Sequence, residues 1–202
     1  MDGLFRAQSG EARELLDALD AARGHFVLES GHHGDLWLDL VTLFLDARRM
    51  QRWALALAEQ ASACKPDLVC GPLTGGAFVA QLLAVEIGSD FTFAERSYSG
   101  AGGVHYLIPE PLRRATSGRR VLIVDDVVNA GSAVRSTLTD LQSCGAEPAG
   151  FAALLTLGDA ASVIAKRHRV PLFSLASVET RLWLPEACPL CRSRVPLIDR
   201  RS

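Results

Sequence analysis

The sequence predicts an α/β domain in which a central, mostly parallel sheet is flanked by helices and preceded by a small amino-terminal hairpin unit. Three observations carry this. Val121-Leu122-Ile123-Val124 is a run of branched apolar residues, the pattern of a strand buried on both faces. Comparable apolar runs stand at residues 67–70 and 149–155, separated by stretches of helical periodicity, so strands and helices alternate as in a parallel α/β sheet. Short polar, glycine-bearing turns follow two of these strands, at residues 71–76 and 129–132, where open α/β sheets bind their ligands.

Taken in order, Ala12, Leu15, Leu16 and Leu19 recur at helical spacing, with Gly24 as a carboxyl-terminal cap. Residues 25–29 and 36–40 read as two strands joined by the glycine-bearing turn 30–35. Asp46 caps a helix whose stripe is Met50, Trp53, Ala54, Leu57 and Ala61. Strand 67–70 leads through turn 71–76 into a helix over 77–87, and residues 91–96 alternate as a strand. Residues 97–118 are rich in Gly and Pro without helical periodicity, which predicts a long loop of the kind used as a lid. The run at 121–124 passes through its turn into a helix marked by Ala133, Ser136, Thr137, Leu138 and Leu141. A strand over 149–155, a helix over 159–168 and a strand over 171–178 complete about five sheet strands, ahead of a terminal segment.

At 202 residues, 49% hydrophobic and 22% charged, the chain is long enough for one well-buried domain with a small appendage. A net charge of −2 exerts no overall pull on nucleic acid or an anionic membrane, and no apolar run approaches spanning length. Met1-Asp2-Gly3-Leu4 opens no secretory pattern, so a cytoplasmic protein with neither nucleic-acid nor membrane partners is expected. The absence of a Gly-x-x-x-x-Gly-Lys loop argues against a nucleotide hydrolase. Among five cysteines, Cys188-Pro-Leu-Cys191 has the spacing of half a zinc ribbon. Neither Cys64, at a helix end, nor Cys70, at a strand end, repeats that spacing, so Cys188 and Cys191 are read as thiols of a terminal loop rather than zinc ligands.

The chemistry gathers at Asp125 and Asp126. Two carboxylates would repel a phosphate, but they accept hydrogen bonds from sugar hydroxyls or hold a metal. The turn after them opens a helix, whose free amides suit a phosphate. Together they describe a sugar phosphate site. Gly75-Gly76, at the other strand-to-helix junction, lets backbone approach a ligand closely.

Residues 121–133 resemble the phosphoribosyl pyrophosphate (PRPP) signature of type I phosphoribosyltransferases, and the Ala130-Gly131-Ser132-Ala133 ending resembles the orotate phosphoribosyltransferase version. The resemblance implies a glycosyltransferase-class enzyme of pyrimidine nucleotide biosynthesis that carries orotate and PRPP to orotidine 5′-phosphate and pyrophosphate. It assigns Asp125 and Asp126 to the ribose hydroxyls and Asn129, Ala130, Gly131, Ser132 and Ala133 to the 5′-phosphate. Leu73, Thr74, Gly75 and Gly76, with Arg96 from the Ala94-Glu95-Arg96 triplet, fall to pyrophosphate. Mg²⁺ enters with PRPP, with Asp125 and Asp126 as candidate ligands. The base half falls to Phe26, Glu29 and Leu157, with His32 and His33 as further candidate contacts. The implied organisation is a helix and hood hairpin over 1–45, a core over 46–180 with lid 97–118, a terminal segment over 181–202, and a homodimer in which each lid covers the partner's site.

The sequence departs from the family pattern at four places. Asn129 replaces a hydroxyl residue, Glu29 a lysine, and Leu157 stands near the usual position of an orotate-binding arginine. The lid has no lysine, since Lys65 and Lys166 are the only two in the chain. His105 is therefore the candidate proton donor of the lid, with Arg113 and Arg114 as candidate partners of departing charge. Transfer to another nitrogen base, and a non-catalytic PRPP-binding regulator on the same scaffold, are the alternatives these departures leave open.

Overall fold

Two sheets organise the computed structural model, which describes residues 5–7, 9–28, 30–98 and 104–200. In chain order the strands are β1 (Phe5–Ala7), β2 (Asp20–Val27), β3 (His33–Asp39), β4 (Leu68–Pro72), β5 (Asp90–Tyr98), β6 (Val104–Leu107), β7 (Arg120–Val128), β8 (Glu147–Leu157), β9 (Leu172–Val178), β10 (Leu182–Trp183) and β11 (Ile198–Asp199). The helices are α1 (Gly10–Asp17), α2 (Ala47–Ala61), α3 (Gly75–Ile87), α4 (Glu110–Thr116), α5 (Ser132–Ser143), α6 (Ala160–His168) and the short α7 (Pro189–Arg192). The large sheet runs β1-β9-β8-β7-β4-β5-β6. Its five inner strands are parallel, as expected, and β1 and β6 join antiparallel at the edges.

The central run explains why helices cover both faces. Leu122 and Val124 pack with Trp53 and Leu57 of α2 and Leu83 of α3, while Val121 and Ile123 point the other way onto Leu138 and Leu141 of α5 and Ile164 of α6. Each such side chain contributes roughly 1.5–3 kcal/mol by leaving water, so the alternation holds two helical layers to one strand. Helix α2 begins as its sequence predicts: Asp46 Oδ1 accepts hydrogen bonds from the amides of Arg48 and Arg49, at 3.1 and 3.0 Å.

Several expectations are corrected. Helix α1 ends at Asp17 and the chain is already extended from Asp20, so Gly24 is a strand residue, its Cα face against the Phe26 ring, and not a helix cap. Residues 97–118 contain regular structure: β5 continues to Tyr98, β6 pairs back on it, and α4 follows. Residues 99–103 lie outside the described ones. The terminal segment is no appendage, because β10 pairs with β3 and β11 with β2, completing a four-stranded hood sheet in the order β10-β3-β2-β11. Among the described residues, no helix is long and apolar enough to cross a membrane.

Candidate active site

Strand β7 carries the acid pair to the carboxyl edge of the sheet. Asp125 lies opposite Ala153 of β8 and is 8% exposed, whereas Asp126 is half-buried. The Asp126 amide donates to Asp125 Oδ1 at 3.1 Å. Burial, and then the neighbouring Asp126 charge, push the Asp125 carboxyl well above the usual carboxylate range. Beyond the pair the chain turns through Asn129 and Ala130 to Gly131, the residue before α5. Gly131 has φ 71°, and a Cβ there would meet Ile164 Cδ1 at 2.5 Å, so two independent constraints require glycine. The turn leaves Asn129 Oδ1 buried without a hydrogen-bond partner. The amides of Ser132 and Ala133 open the helix at its electropositive end.

The second loop meets the first. After β4 come Leu73 and Thr74, joined by a cis peptide, and α3 starts at Gly75, two residues earlier than the sequence suggested. A Cβ on Gly75 would land on the Asp126 carboxylate. One on Gly76 would stand 2.7 Å from Asp125 Oδ1 and 2.8 Å from Pro72 Cδ. The glycine pair is what allows the start of α3 to lie against the two acids. The fold thus brings together Leu73, Thr74, Gly75 and Gly76 with Asp125 and Asp126, from segments some fifty residues apart.

Arg96 and His105 face each other's strand in the β5–β6 hairpin. Arg96 is paired with Tyr106 in register, donates from Nε to the Tyr106 hydroxyl at 3.2 Å, and holds its guanidinium 5.8 Å from that ring's centroid. His105 is exposed opposite Ser97. Arg113, expected in the lid and facing departing charge, is instead committed to α4 and α5: Nη1 donates to Asp140 Oδ2 at 2.7 Å and Nη2 to Ser143 Oγ at 2.9 Å. Asp140 Oδ2 also accepts from the Ile108 amide at 2.7 Å, so Arg113 braces the hairpin's exit against α5. Arg114 is exposed on α4.

The base half differs more from expectation. Leu157 ends β8 and is buried, followed by Gly158 at φ 64°. Phe26, expected to contact a base, is 1% exposed: its ring lies 6.0 Å from Trp37 and under the Arg200 guanidinium, and β11 pairs along its strand. Its ring is therefore hood core, with no face left for a base. Glu29 lies outside the described residues. Between hood and core, at the carboxyl ends of β8 and β9, opens a cleft of about 760 Å³ lined by Arg23, Asp35, Gly158, Glu179 and Arg181 among others. Arg23 pairs with Asp35 at 3.1 Å. Neither Arg23 nor Arg181 was foreseen, and no local pattern marks them, since only the hood's closure onto β9 brings them together.

The histidines and cysteines also fall differently. His32 hydrogen-bonds Ser30, but His33 is buried in β3 rather than exposed in a turn. Cys188 and Cys191 lie beside His25 and His33, not beside Cys64 or Cys70. Cys64 donates to the Ala61 carbonyl, and Cys70 is buried within β4, its thiol pushed up by that burial. The objection to a metal at Cys188 and Cys191, the want of two further ligands, is removed by the fold.

The phosphoribosyl transferase domain family matches residues 44–175, which contain both loops. An orotate phosphoribosyltransferase of Caldanaerobacter subterraneus subsp. tengcongensis is 30% identical over 193 residues, covering 94% of this chain and 95% of that protein. Orotate phosphoribosyltransferase 2 of Mesorhizobium japonicum is 31% identical over 204 residues, covering 99% and 95%. Among solved structures, orotate phosphoribosyltransferase from Aeropyrum pernix superposes with TM-score 0.63 at 25% identity, over 82% of this chain and 92% of that one. Adenine phosphoribosyltransferase from Thermoanaerobacter pseudethanolicus gives TM-score 0.64 at 20% identity, over 81% and 98%, a likeness of fold alone.

Proposed function

The chain belongs to the phosphoribosyltransferase family, and on that premise we propose that it transfers the phosphoribosyl group of PRPP to orotate, yielding orotidine 5′-phosphate and pyrophosphate. The observation that carries this reading is the contact of the two loops, with Gly75 and Gly76 against Asp126 and Asp125. Amides of residues 129–133 hold the 5′-phosphate, and those of 73–76 hold pyrophosphate. Asp125 and Asp126 accept hydrogen bonds from the ribose hydroxyls and fix the sugar in line. The bond from the anomeric carbon to pyrophosphate breaks as the bond to the base nitrogen forms, and positive charge develops on the ribose. The acid pair stabilises that charge without attacking it. Arg96 balances charge on the leaving group, exposed His105 on the same hairpin supplies a proton to the departing pyrophosphate, and the attacking ring nitrogen gives up its own proton to solvent as its bond to the ribose forms.

Two adjacent carboxylates, one of them, Asp125, raised by burial and then by the neighbouring Asp126 charge, fit a hard divalent cation. Mg²⁺ arriving with PRPP would be held by Asp125, Asp126 and the substrate's own oxygens, and supplies neutralisation of pyrophosphate charge. A homodimer belongs to the same proposal, supported by Val41 and Leu45 (79% and 84% exposed) on the short helical turn whose Phe44 ring meets exposed Phe78 of α3, apolar exposure suited to a second copy.

Leu157 gives the orotate carboxylate no partner, and Arg23 and Arg181 are the cations of the adjoining cleft that we assign to it. Leu157 also favours a second reading, transfer to a nitrogen base without that carboxylate. The test is orotate-dependent consumption of PRPP with Mg²⁺, beside an Asp125→Asn/Asp126→Asn variant. Turnover in the wild type alone supports the orotate reading. PRPP bound by the wild type and not by the variant, without turnover, moves the acceptor to another base. Absence of PRPP binding overturns the assignment of both loops.

A further inference from the structure

Away from the acid pair, four side chains from the hood and the terminal segment converge on one point. His25 sits at a β-bulge of β2, where the pairing with β3 shifts between Arg23 and Phe26, and such a bulge re-aims a side chain. His33 opens β3, and Cys188 and Cys191 flank the first turn of α7. His25 Nε2 lies 3.0 Å from His33 Nδ1, 3.4 Å from Cys188 Sγ and 3.7 Å from Cys191 Sγ, while Cys191 Sγ lies 3.2 Å from His33 Nδ1. All four ligating atoms fall within 4.8 Å of one another. His25, His33 and Cys188 are buried and Cys191 is exposed.

Hydrogen bonds alone do not satisfy this arrangement. His25 Nδ1 lies 2.9 Å from the Val195 carbonyl, an acceptor only, so Nδ1 carries the proton and Nε2 presents a single lone pair. Three potential donors crowd that one lone pair, and at most one can use it well. A cation at the centre resolves the conflict. Tetrahedral zinc, with bonds of about 2.0–2.1 Å to nitrogen and about 2.3 Å to sulfur, sets its ligands roughly 3.3–3.8 Å apart, and the four separations given above match this to within a few tenths of an ångström, the remaining pairs lying within 4.8 Å. The Val195 carbonyl is the outer partner that fixes the tautomer of a metal-bound histidine.

We propose that His25, His33, Cys188 and Cys191 bind one zinc ion, a closed structural site that fastens the terminal segment to the hood hairpin. Two nitrogens and two sulfurs in tetrahedral arrangement select zinc over the oxygen-seeking cations, and four protein ligands leave no open position for chemistry. Binding displaces the two thiol protons and leaves the oxidation state of sulfur and metal unchanged. Exposed Cys191 gives the ion its path in. The site draws its ligands from β2, β3 and the α7 turn, so the metal ties together chain segments that, among the described residues, the hood sheet joins through the two-residue strands β10 and β11. This inference is independent of phosphoribosyl transfer.

The test is zinc content by mass spectrometry of the full chain, purified under reducing conditions without metal-affinity resin or chelator, beside Cys191→Ser and Cys188→Ser/Cys191→Ser variants. One zinc per chain is expected in the wild type, with at least a roughly tenfold loss in the double variant. Cys191→Ser replaces the exposed ligand and keeps the fold, as checked by circular dichroism. Stripped wild-type protein titrated with cobalt(II) alone should give the intense visible bands of a tetrahedral centre and a thiolate charge-transfer band, both weakened in Cys191→Ser. A reduced wild type that carries no zinc and takes cobalt only into a weakly absorbing octahedral environment overturns the proposal. Zinc that persists at full occupancy in the double variant overturns it equally.

Discussion

Adding a single methyl group at the contact of the two loops should disable the site without harming the fold. In Gly76→Ala the new Cβ stands 2.7 Å from Asp125 Oδ1 and 2.8 Å from Pro72 Cδ, whereas ordinary contact begins near 3.4 Å. The carboxylate, the ring or the helix start must therefore retreat by about 0.7 Å, and Pro72, buried in β4 and held by its ring and backbone, has less freedom than the Asp125 side chain, so Asp125 is displaced. Gly75→Ala drives the Asp126 carboxylate away in the same manner. A misplacement approaching 1 Å at positioning groups costs about a hundredfold in rate, so either variant should lower kcat/KM for PRPP by roughly two orders of magnitude. The assay is PRPP consumption with orotate and Mg²⁺, run beside PRPP binding by calorimetry and thermal melting. Gly10→Ala, whose added Cβ meets nothing within 4 Å, is the control and should leave all three unchanged. Wild-type turnover and PRPP affinity in both Gly75→Ala and Gly76→Ala would refute the reasoning, since a site built on that contact cannot survive its displacement.

Other consequences are open to measurement. Arg113→Ala should cost about 1–2 kcal/mol in urea unfolding, by leaving Asp140 without its cation, while KM for PRPP stays unchanged; a raised KM with unaltered stability would return Arg113 to the pyrophosphate. Arg181→Ala should raise KM for orotate by roughly tenfold or more and leave KM for PRPP alone, and an unchanged orotate KM would remove Arg181 from the base half. The Arg48 and Arg49 amides hold the Asp46 carboxyl below its ordinary value of 3.8, so its stabilisation is present above pH 3.8 and is lost as pH falls through the lower folded-state value. Asp46→Ala should accordingly melt below the wild type at pH 7, and the gap should narrow at pH 3; a gap independent of pH would show that the cap does not act through its charge.

What the sequence made legible was local. Val121 to Val124 announced a doubly buried strand because four adjacent residues suffice to show it, and the acids and turn after it could be read in one glance along the chain. Gly75 and Gly76 were recognisable as a close-approach turn, but nothing local said that their partners were the two aspartates. The hairpin of β5 and β6 escaped because a strand of four residues has no period of its own, and its evidence is the pairing of Arg96 with Tyr106, ten residues on along the chain. Helix α4, with Pro109 as its amino-terminal cap and Pro111 in its first turn, is too short to show a stripe. Phe26 was misjudged for a different reason: its burial depends on Arg200 and β11, more than 170 residues away. The clustering of His25 and His33 with Cys188 and Cys191 is as remote, and the cysteine spacing alone supplied half of it.

The hood sheet is woven from residues 20–39 and from residues 182–199, with the whole parallel sheet lying between them along the chain. Synthesis proceeds from the amino terminus at about 5–20 residues per second, so the β2–β3 hairpin emerges many seconds before the strands that flank it. During that interval both hairpin edges are unpaired, and Phe26 lacks the cover that Arg200 and Ile198 later supply. The large sheet can be complete on the ribosome while the hood still waits. Ribosome-stalled chains ending before Leu182 should therefore resist protease across the core and be cut within residues 20–39, which makes closure of the hood the last event in the making of this molecule.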